Sequence, residues 1–364
     1  MTEANETVAI VGALGTQGAS VIRALRSSPI TSQWKIHALT SSPQSESARA
    51  LSEQANVSIV YCDVNDPKSI HEAFQGCTHI FANTAFHGGT LFAKGQKAGE
   101  DLENAQGMNL VRAAAETKSL KHLIWSTLPD SNVTSQGKWK VPHFMSKQHA
   151  NEYILGGYTG CDARRQQQEP GWGSLRDKST LMSIGVYGSN FRNHSYRPTK
   201  KHEHDEYVIQ LPCSPDVPFS IAGDENENVG ILVRAIFEQP ETSIGTWISC
   251  ESERISCRQW VACLDTAAKS QGVRKTITFE ECTMQSIEER WGVLGNEIGQ
   301  MMAYISELEE RAFENTSDLP EINASQLGVQ AELVPVRVFY EKLDCVALLR
   351  EVDNGEIHLG TASR

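Results

Sequence analysis

The absences narrow the possibilities first. No run of apolar residues approaches the roughly 18 that a membrane-spanning helix needs, so no membrane partner is expected. No two cysteines stand at CxxC spacing; the nine lie scattered at positions 62, 77, 161, 213, 250, 257, 263, 282 and 345. An odd number without framework spacing reads as free thiols of a reducing compartment. Basic residues are outnumbered, 33 Lys and Arg against 45 Asp and Glu, for a net charge of -12. Such a surface repels phosphate backbones. The nearest basic stretch, "YRPTKKHEH" from Tyr196 to His204, is short and interrupted, so no direct nucleic-acid contact is expected. Within it, "HEH" is too tightly spaced for a zinc site and has no further ligands. The first residues, "MTEANETVAIVG", lack a positive region and a long apolar stretch, so no signal peptide is expected. Asn-x-Ser/Thr triplets such as "NVT" at Asn132 then carry no weight. The cytosol is the expected compartment, with the nucleus as an alternative.

What is present is a regular alternation of strands and helices. "TVAIVG", "KIHALT", "VSIVYCDV", "THIFANT" and "LKHLIWST" read as buried strands. Between them lie helical stretches: "GASVIRALRSS" with Val21, Ile22 and Leu25 at helical spacing, "SESARALSEQA", "PKSIHEAFQG" from Pro67 to Gly76, and "GEDLENAQGMNLVRAAAET". Strands joined by helical crossovers make a parallel, doubly wound α/β sheet. The first strand runs into "VGALGTQG", with glycines at 12, 15 and 18. In a first strand-to-helix turn each glycine has a task. Gly12 permits the tight turn, Gly15 lets backbone approach a bulky anion, and Gly18 lets helix pack on strand. The helix starting near Thr16 aims free amides and its positive dipole end at that anion. The expected guest is the diphosphate of a dinucleotide, held by Gly12, Leu14, Gly15, Thr16, Gln17 and Gly18. A glycine turn without a ligand is the competing reading.

The end of the second strand ordinarily separates NAD from NADP, an acid gripping ribose hydroxyls and a base pairing with the 2′-phosphate. Here "ALTSSPQSES" has neither directly after Thr40. Thr40 and Ser41, with Ser42, offer hydroxyls, and Arg49 lies eight residues on. The missing acid tilts the expectation to NADP, with NAD as the alternative. Asp63, after the third strand, is a candidate for the adenine amino group or for a helix cap. "FANTAFHGG" after the fourth strand supplies Asn83, Thr84 and Phe86 for the nicotinamide side, Phe86 being equally a core residue.

Four stretches together resemble the NmrA-like family, a branch of the atypical short-chain dehydrogenase/reductases: "VGALGTQG", "STLPDSN…GKWKVPHFMSK", "MSIGVYGSNFRN" and "DENENVGILVRAIFEQPETSIGTWIS". The resemblance implies a Rossmann fold of the extended type that binds NAD(P), and a small α+β region for substrate or partner. Ordinary short-chain dehydrogenases pair a tyrosine with a lysine four residues on. This chain reads His143-Phe-Met-Ser-Lys147, with the lysine kept and histidine at the tyrosine position. The resemblance therefore implies Lys147 as the contact to the nicotinamide ribose. His143 is either a proton donor or a solvated helix-start residue. Tyr187, in the ligand-facing loop with Asn190 and Phe191, is a substitute donor and coenzyme contact, or a packing residue. Thr127 stands near the serine that larger relatives use on a substrate carbonyl, or caps the strand end.

The resemblance implies two functions. One is an NADPH-dependent reductase of a small quinone, enone, imine or carbonyl compound. The other is a coenzyme-binding redox sensor that acts on a regulatory protein without chemistry. The expected organisation is a Rossmann domain over residues 1–155, an irregular insertion at 156–178, the remaining strands with a smaller region over 179–350, and a tail at 351–364. Later segments read as helices at "DENENVGILVRAIFEQP", "RQWVACLDTAAKSQG" and "IGQMMAYISELEERAF", the last with Met301, Tyr304, Ile305 and Leu308 as a core stripe. "GTWIS" and "TITFEEC" read as strands.

The coenzyme reading yields a direct measurement. Fluorescence titration is expected to show tighter binding of NADPH than of NADH; equal or tighter NADH binding would discard the preference for the phosphate form.

Overall fold

The computed structural model describes residues 6–86, 88–157, 170–192, 194–201 and 206–354. The "HEH" stretch, Cys161, most of the 156–178 segment and the end of the tail lie outside these residues. The alternation read in the sequence becomes β1 (Thr7–Ile10), α1 (Thr16–Ser27), β2 (Lys35–Thr40), α2 (Glu46–Ser52), β3 (Val57–Tyr61), α3 (Pro67–Phe74) and β4 (His79–Ala82). It continues through α4 (Gly88–Lys94), α5 (Gln96–Glu116), β5 (His122–Thr127), α6 (Ser131–Thr134), α7 (Pro142–Met145), α8 (Gln148–Leu155) and β6 (Ser179–Ile184). Local chemistry sets the boundaries. Pro67 sits in the first turn of α3 with Asp66 capping it, and Ser45 caps α2.

Short strands follow: β7 (Val186–Tyr187), β8 (Thr199–Lys201), β9 (Glu206–Leu211) and β10 (Pro218–Gly223). Then come α9 (Glu225–Glu238), α10 (Pro240–Ser243), β11 (Trp247–Cys250), β12 (Glu253–Ser256), α11 (Cys257–Ser270) and β13 (Ile277–Glu281). The last elements are α12 (Met284–Leu308), β14 (Glu321–Ile322), α13 (Val336–Lys342) and α14 (Cys345–Asp353). Eight strands form one sheet in the order β14-β11-β6-β5-β4-β1-β2-β3, every neighbouring pair parallel. From β1 the chain winds outward to β2 and β3, then returns to lay β4, β5 and β6 on the other side. The reversal falls between β1 and β4, where a crevice opens at the carboxyl ends of the strands.

Three apolar clusters hold the molecule together. One face of the sheet packs on α1 and α9 through Val21, Leu25, Leu232 and Ile236. The other packs on α3, α5 and α8 through Phe74, Leu110 and Ile154. The third lies under the two small sheets, β12-β10-β7 and β13-β9-β8, and runs from Phe144 to Trp260, Tyr304 and Tyr340. α12 starts 14 residues before the stretch expected to be helical, because Gly292 at φ 60° kinks the helix and breaks the apolar period. The described end of the 156–178 segment docks on α8: Tyr153 donates to the Pro170 carbonyl at 2.7 Å, and Trp172 lies edge-on to the Tyr153 ring. Among the described residues no helix is long and apolar enough to cross a membrane.

Two histidines are buried at the amino ends of the strands. His79 stacks on Trp34 with ring centroids 4.3 Å apart, and Phe237 lies edge-on to both His79 and His122. Burial pushes His79 down to about 4, against the pull of Glu6, and His122 down to about 3. The unfolded chain takes protons near pH 6.5 that the folded chain refuses. Stability is therefore full above pH 6.5 and falls as pH drops toward 4, by on the order of 3 kcal/mol for His79 alone. Thermal unfolding of His79→Phe across this range is expected to show a shallower decline than the native chain; an identical slope would refute the assignment.

Candidate functional site

The first turn of the Rossmann unit is built by close approach. Gly12 adopts φ 65° and is exposed at the head of the crevice. Gly15 lies at the start of α1 and donates to the Gly12 carbonyl at 2.9 Å. A Cβ on Gly18 would stand 2.3 Å from the Gly12 oxygen and 2.7 Å from the Ala13 Cα. Only glycine lets α1 sit this close to β1, and that closeness aims the amides of Thr16 and Gln17 at the crevice. Leu14 is half-buried in the same loop. Across the crevice, Asn83 follows β4 and brings its Oδ1 to 3.1 Å from the place a Gly12 Cβ would occupy. The cradle fits a diphosphate: its donors are backbone amides, and no side chain fills it.

The rest of the expected coenzyme set spreads along the carboxyl edge. Thr40 accepts from the Ser42 amide at 3.1 Å, and Ser41 is exposed beside it, with Arg49 exposed on α2. Asp63 accepts from the amide and side chain of Asn65, both at 2.9 Å, so its carboxylate closes a local turn. The Tyr187 hydroxyl accepts from Gln17 Nε2 at 2.7 Å, joining β7 to the glycine loop. Burial pushes that phenol well above its ordinary value. Asn190 lies beside the buried Tyr196 hydroxyl. Thr127 is buried and donates to Asn151 Oδ1 at 2.8 Å, the same oxygen that accepts from Trp125, so it serves the strand end.

Lys147 and His143 each face a carboxylate that sequence reasoning did not single out. Lys147 Nζ donates to Glu103 Oε1 at 2.7 Å, to Thr84 Oγ1 at 2.9 Å and to the Thr84 carbonyl at 3.3 Å. Glu103, on α5, is 1% exposed and also accepts from Thr84 at 2.8 Å and from Ser146. Burial opposes its charge, but the Lys147 ammonium with the hydrogen bonds from Lys147, Ser146 and Thr84 outweighs that. The carboxyl is held below its ordinary range. His143 binds Glu297 of α12 through Nδ1, and Phe86 lies edge-on to its ring at 6.1 Å. Phe86 in turn lies against Gly99, whose Cβ would stand 3.1 Å from it. Structure thus gathers Thr84, Phe86, His143 and Lys147 where α5, α7 and α12 meet, and places Tyr187 beside Gln17. No sequence pattern marks Glu103 or Glu297; each is one acid on a long helix, buried only through contacts distant in sequence.

A parallel doubly wound sheet with an open glycine cradle at its reversal defines a dinucleotide-binding Rossmann fold. Residues 4–157 of this chain match the model of the NmrA-like family. It is similar to an NmrA-like family domain-containing protein of Dictyostelium discoideum, 28% identical over 251 residues, 68% of this chain and 73% of that protein. It is also similar to the NmrA-like family domain-containing oxidoreductase lnbB of Aspergillus flavus, 26% identical over 267 residues, 72% of this chain and 74% of that protein. The crystal structure of NmrA, described as a negative transcriptional regulator, shares the fold with a TM-score of 0.66 at 20% identity, over 98% of this chain and 100% of that one. NmrA has been solved in complex with NAD and with NADP.

Replacing Gly18 tests the cradle. Gly18→Ala is expected to weaken NADPH binding at least tenfold and to cost about 1–3 kcal/mol of stability, because the extra carbon overlaps backbone. Native affinity in a folded Gly18→Ala variant would show that the loop does not hold the coenzyme.

Proposed function

We propose that this chain is an NADPH-dependent oxidoreductase that reduces a small, largely apolar quinone, enone, imine or carbonyl compound. NAD is the second coenzyme. The observation that carries the reading is the His143–Glu297 pair. A buried carboxylate on Nδ1 fixes the ring and leaves Nε2 as the nitrogen not committed to Glu297. The histidine occupies the family's tyrosine position and can supply a proton from Nε2. Phe86 gives the ring an apolar neighbour suited to an apolar substrate. When bound, the reduced nicotinamide supplies the hydride. The amides of Thr16 and Gln17 would hold the diphosphate. Ser41 and Arg49 would meet the 2′-phosphate, and Asn83 and Thr84 the nicotinamide side. Asp63 would meet adenine through the carboxylate oxygen that does not accept from Asn65. Tyr187 keeps its proton at any ordinary pH and holds Gln17 in place. Asn190 borders the substrate side.

A second reading has its own observation in support. All three Lys147 protons go to protein acceptors, as suits a coenzyme sensor that performs no chemistry and reports to a regulatory protein. Similarity to a described regulator and to a named oxidoreductase leaves both readings standing.

One assay separates them. With NADPH and a panel of quinones and enones, absorbance of the reduced nicotinamide is expected to fall with turnover. His143→Ala is expected to lower kcat by about 10²–10⁴-fold while NADPH affinity stays within about threefold. Tight NADPH binding without turnover across the panel would select the sensor.

A further inference from the structure

We propose that Lys147 is a positioning residue and not a ligand of the coenzyme: with Glu103 it forms a buried charge pair that pins Thr84, and through Thr84 sets Asn83 against Gly12 at the mouth of the crevice. The inference rests on the coenzyme-binding reading above.

The donor count is the first argument. An ammonium has three protons, and those of Lys147 go to Glu103 Oε1, Thr84 Oγ1 and the Thr84 carbonyl. Nothing is left for a ribose hydroxyl. The second argument is burial. Lys147 is 7% exposed and Glu103 1%, so turning the lysine outward leaves a desolvated carboxylate short of its counter-charge. The third is where the bonds converge. Thr84 donates its hydroxyl proton to Glu103, accepts from Lys147 on the same oxygen, and gives its carbonyl to Lys147. Its backbone and side chain are both fixed by the pair. Asn83 is the preceding residue, and its Oδ1 is the nearest atom to the space above Gly12. The pair, Thr84, Asn83 and Gly12 form one continuous path from the protein interior to the cradle.

The two roles for Lys147 part company in Glu103→Gln. If Lys147 were a ribose ligand, loss of the restraining charge would free it, and NADPH affinity would hold or rise. As a positioning pair, the loss slackens Thr84, and NADPH affinity is expected to fall roughly ten- to hundredfold. Lys147→Met with Glu103→Leu leaves no uncompensated buried charge but removes both groups that hold Thr84, and is expected to bind NADPH at least as weakly as Lys147→Met alone. In turnover the loss is expected in the KM for NADPH, with kcat at saturation within about twofold. Hydrogen exchange of the peptide containing Asn83 and Thr84, read without coenzyme, is expected to quicken in Glu103→Gln and to stay quick in the double variant. Undiminished affinity in Glu103→Gln, or native affinity in the double variant, overturns the proposal. If the native chain binds no NADPH, the coenzyme reading fails, and the exchange arm still judges the pair: unchanged exchange in Glu103→Gln overturns it.

Discussion

The site depends on one steric constraint, the absence of a side chain at Gly18. The α1 backbone can approach the turn after β1 only because no carbon stands where it would meet the Gly12 carbonyl oxygen at 2.3 Å. That approach orients the first turn of α1, whose amides have no partner within the helix. The exposed, positive-φ Gly12 keeps the crevice open in front of them. The parallel sheet places this turn beside the end of β4, so Asn83 completes the wall. Binding capacity is thus a property of backbone geometry, and the acidic surface does not work against it because the donors are dipoles recessed in a cleft.

Around that cradle the protein has buried two carboxylates, each beside a cationic or titratable partner. Glu103 and Glu297 come from α5 and α12, and each pairs with a residue of the segment "HFMSK". Desolvating a carboxylate is costly unless its oxygens are satisfied. Glu103 meets that condition with Lys147, Thr84 and Ser146. Glu297 meets it with His143. The two pairs differ in accessibility. The lysine is buried, whereas the His143 side chain is 19% exposed. A saturated, buried cation suits a mechanical task, and a partly exposed imidazole braced from behind suits proton transfer.

How much of this was legible in the sequence follows from the range of the interactions. β1 to β5 and the α1, α3, α5, α9 and α11 helices rest on local periodicity and caps, so Val21, Leu25, Pro67 and Asp224 announce them. The glycine spacing announced the loop for the same reason. Of the small sheet β13-β9-β8 only β13 was legible, as "TITFEEC"; β8 and β9 show little alternation, and the parallel pairing of β13 with β9 spans more than sixty intervening residues. Gly292 hid the first half of α12. At the site, His143 and Lys147 were visible as a spaced pair, but their partners were not. Glu103 lies 44 residues from Lys147, and Glu297 154 residues from His143, so only the folded chain brings the charges together. The hydroxyl of Thr127 likewise found its place only when α8 put Asn151 against it.

The most direct measurement is a crystal structure of the full chain grown with millimolar NADPH. The account requires the diphosphate on the amides of Thr16 and Gln17, between Gly12 and Asn83. An empty loop at saturating coenzyme, or a coenzyme bound elsewhere on the molecule, would contradict it.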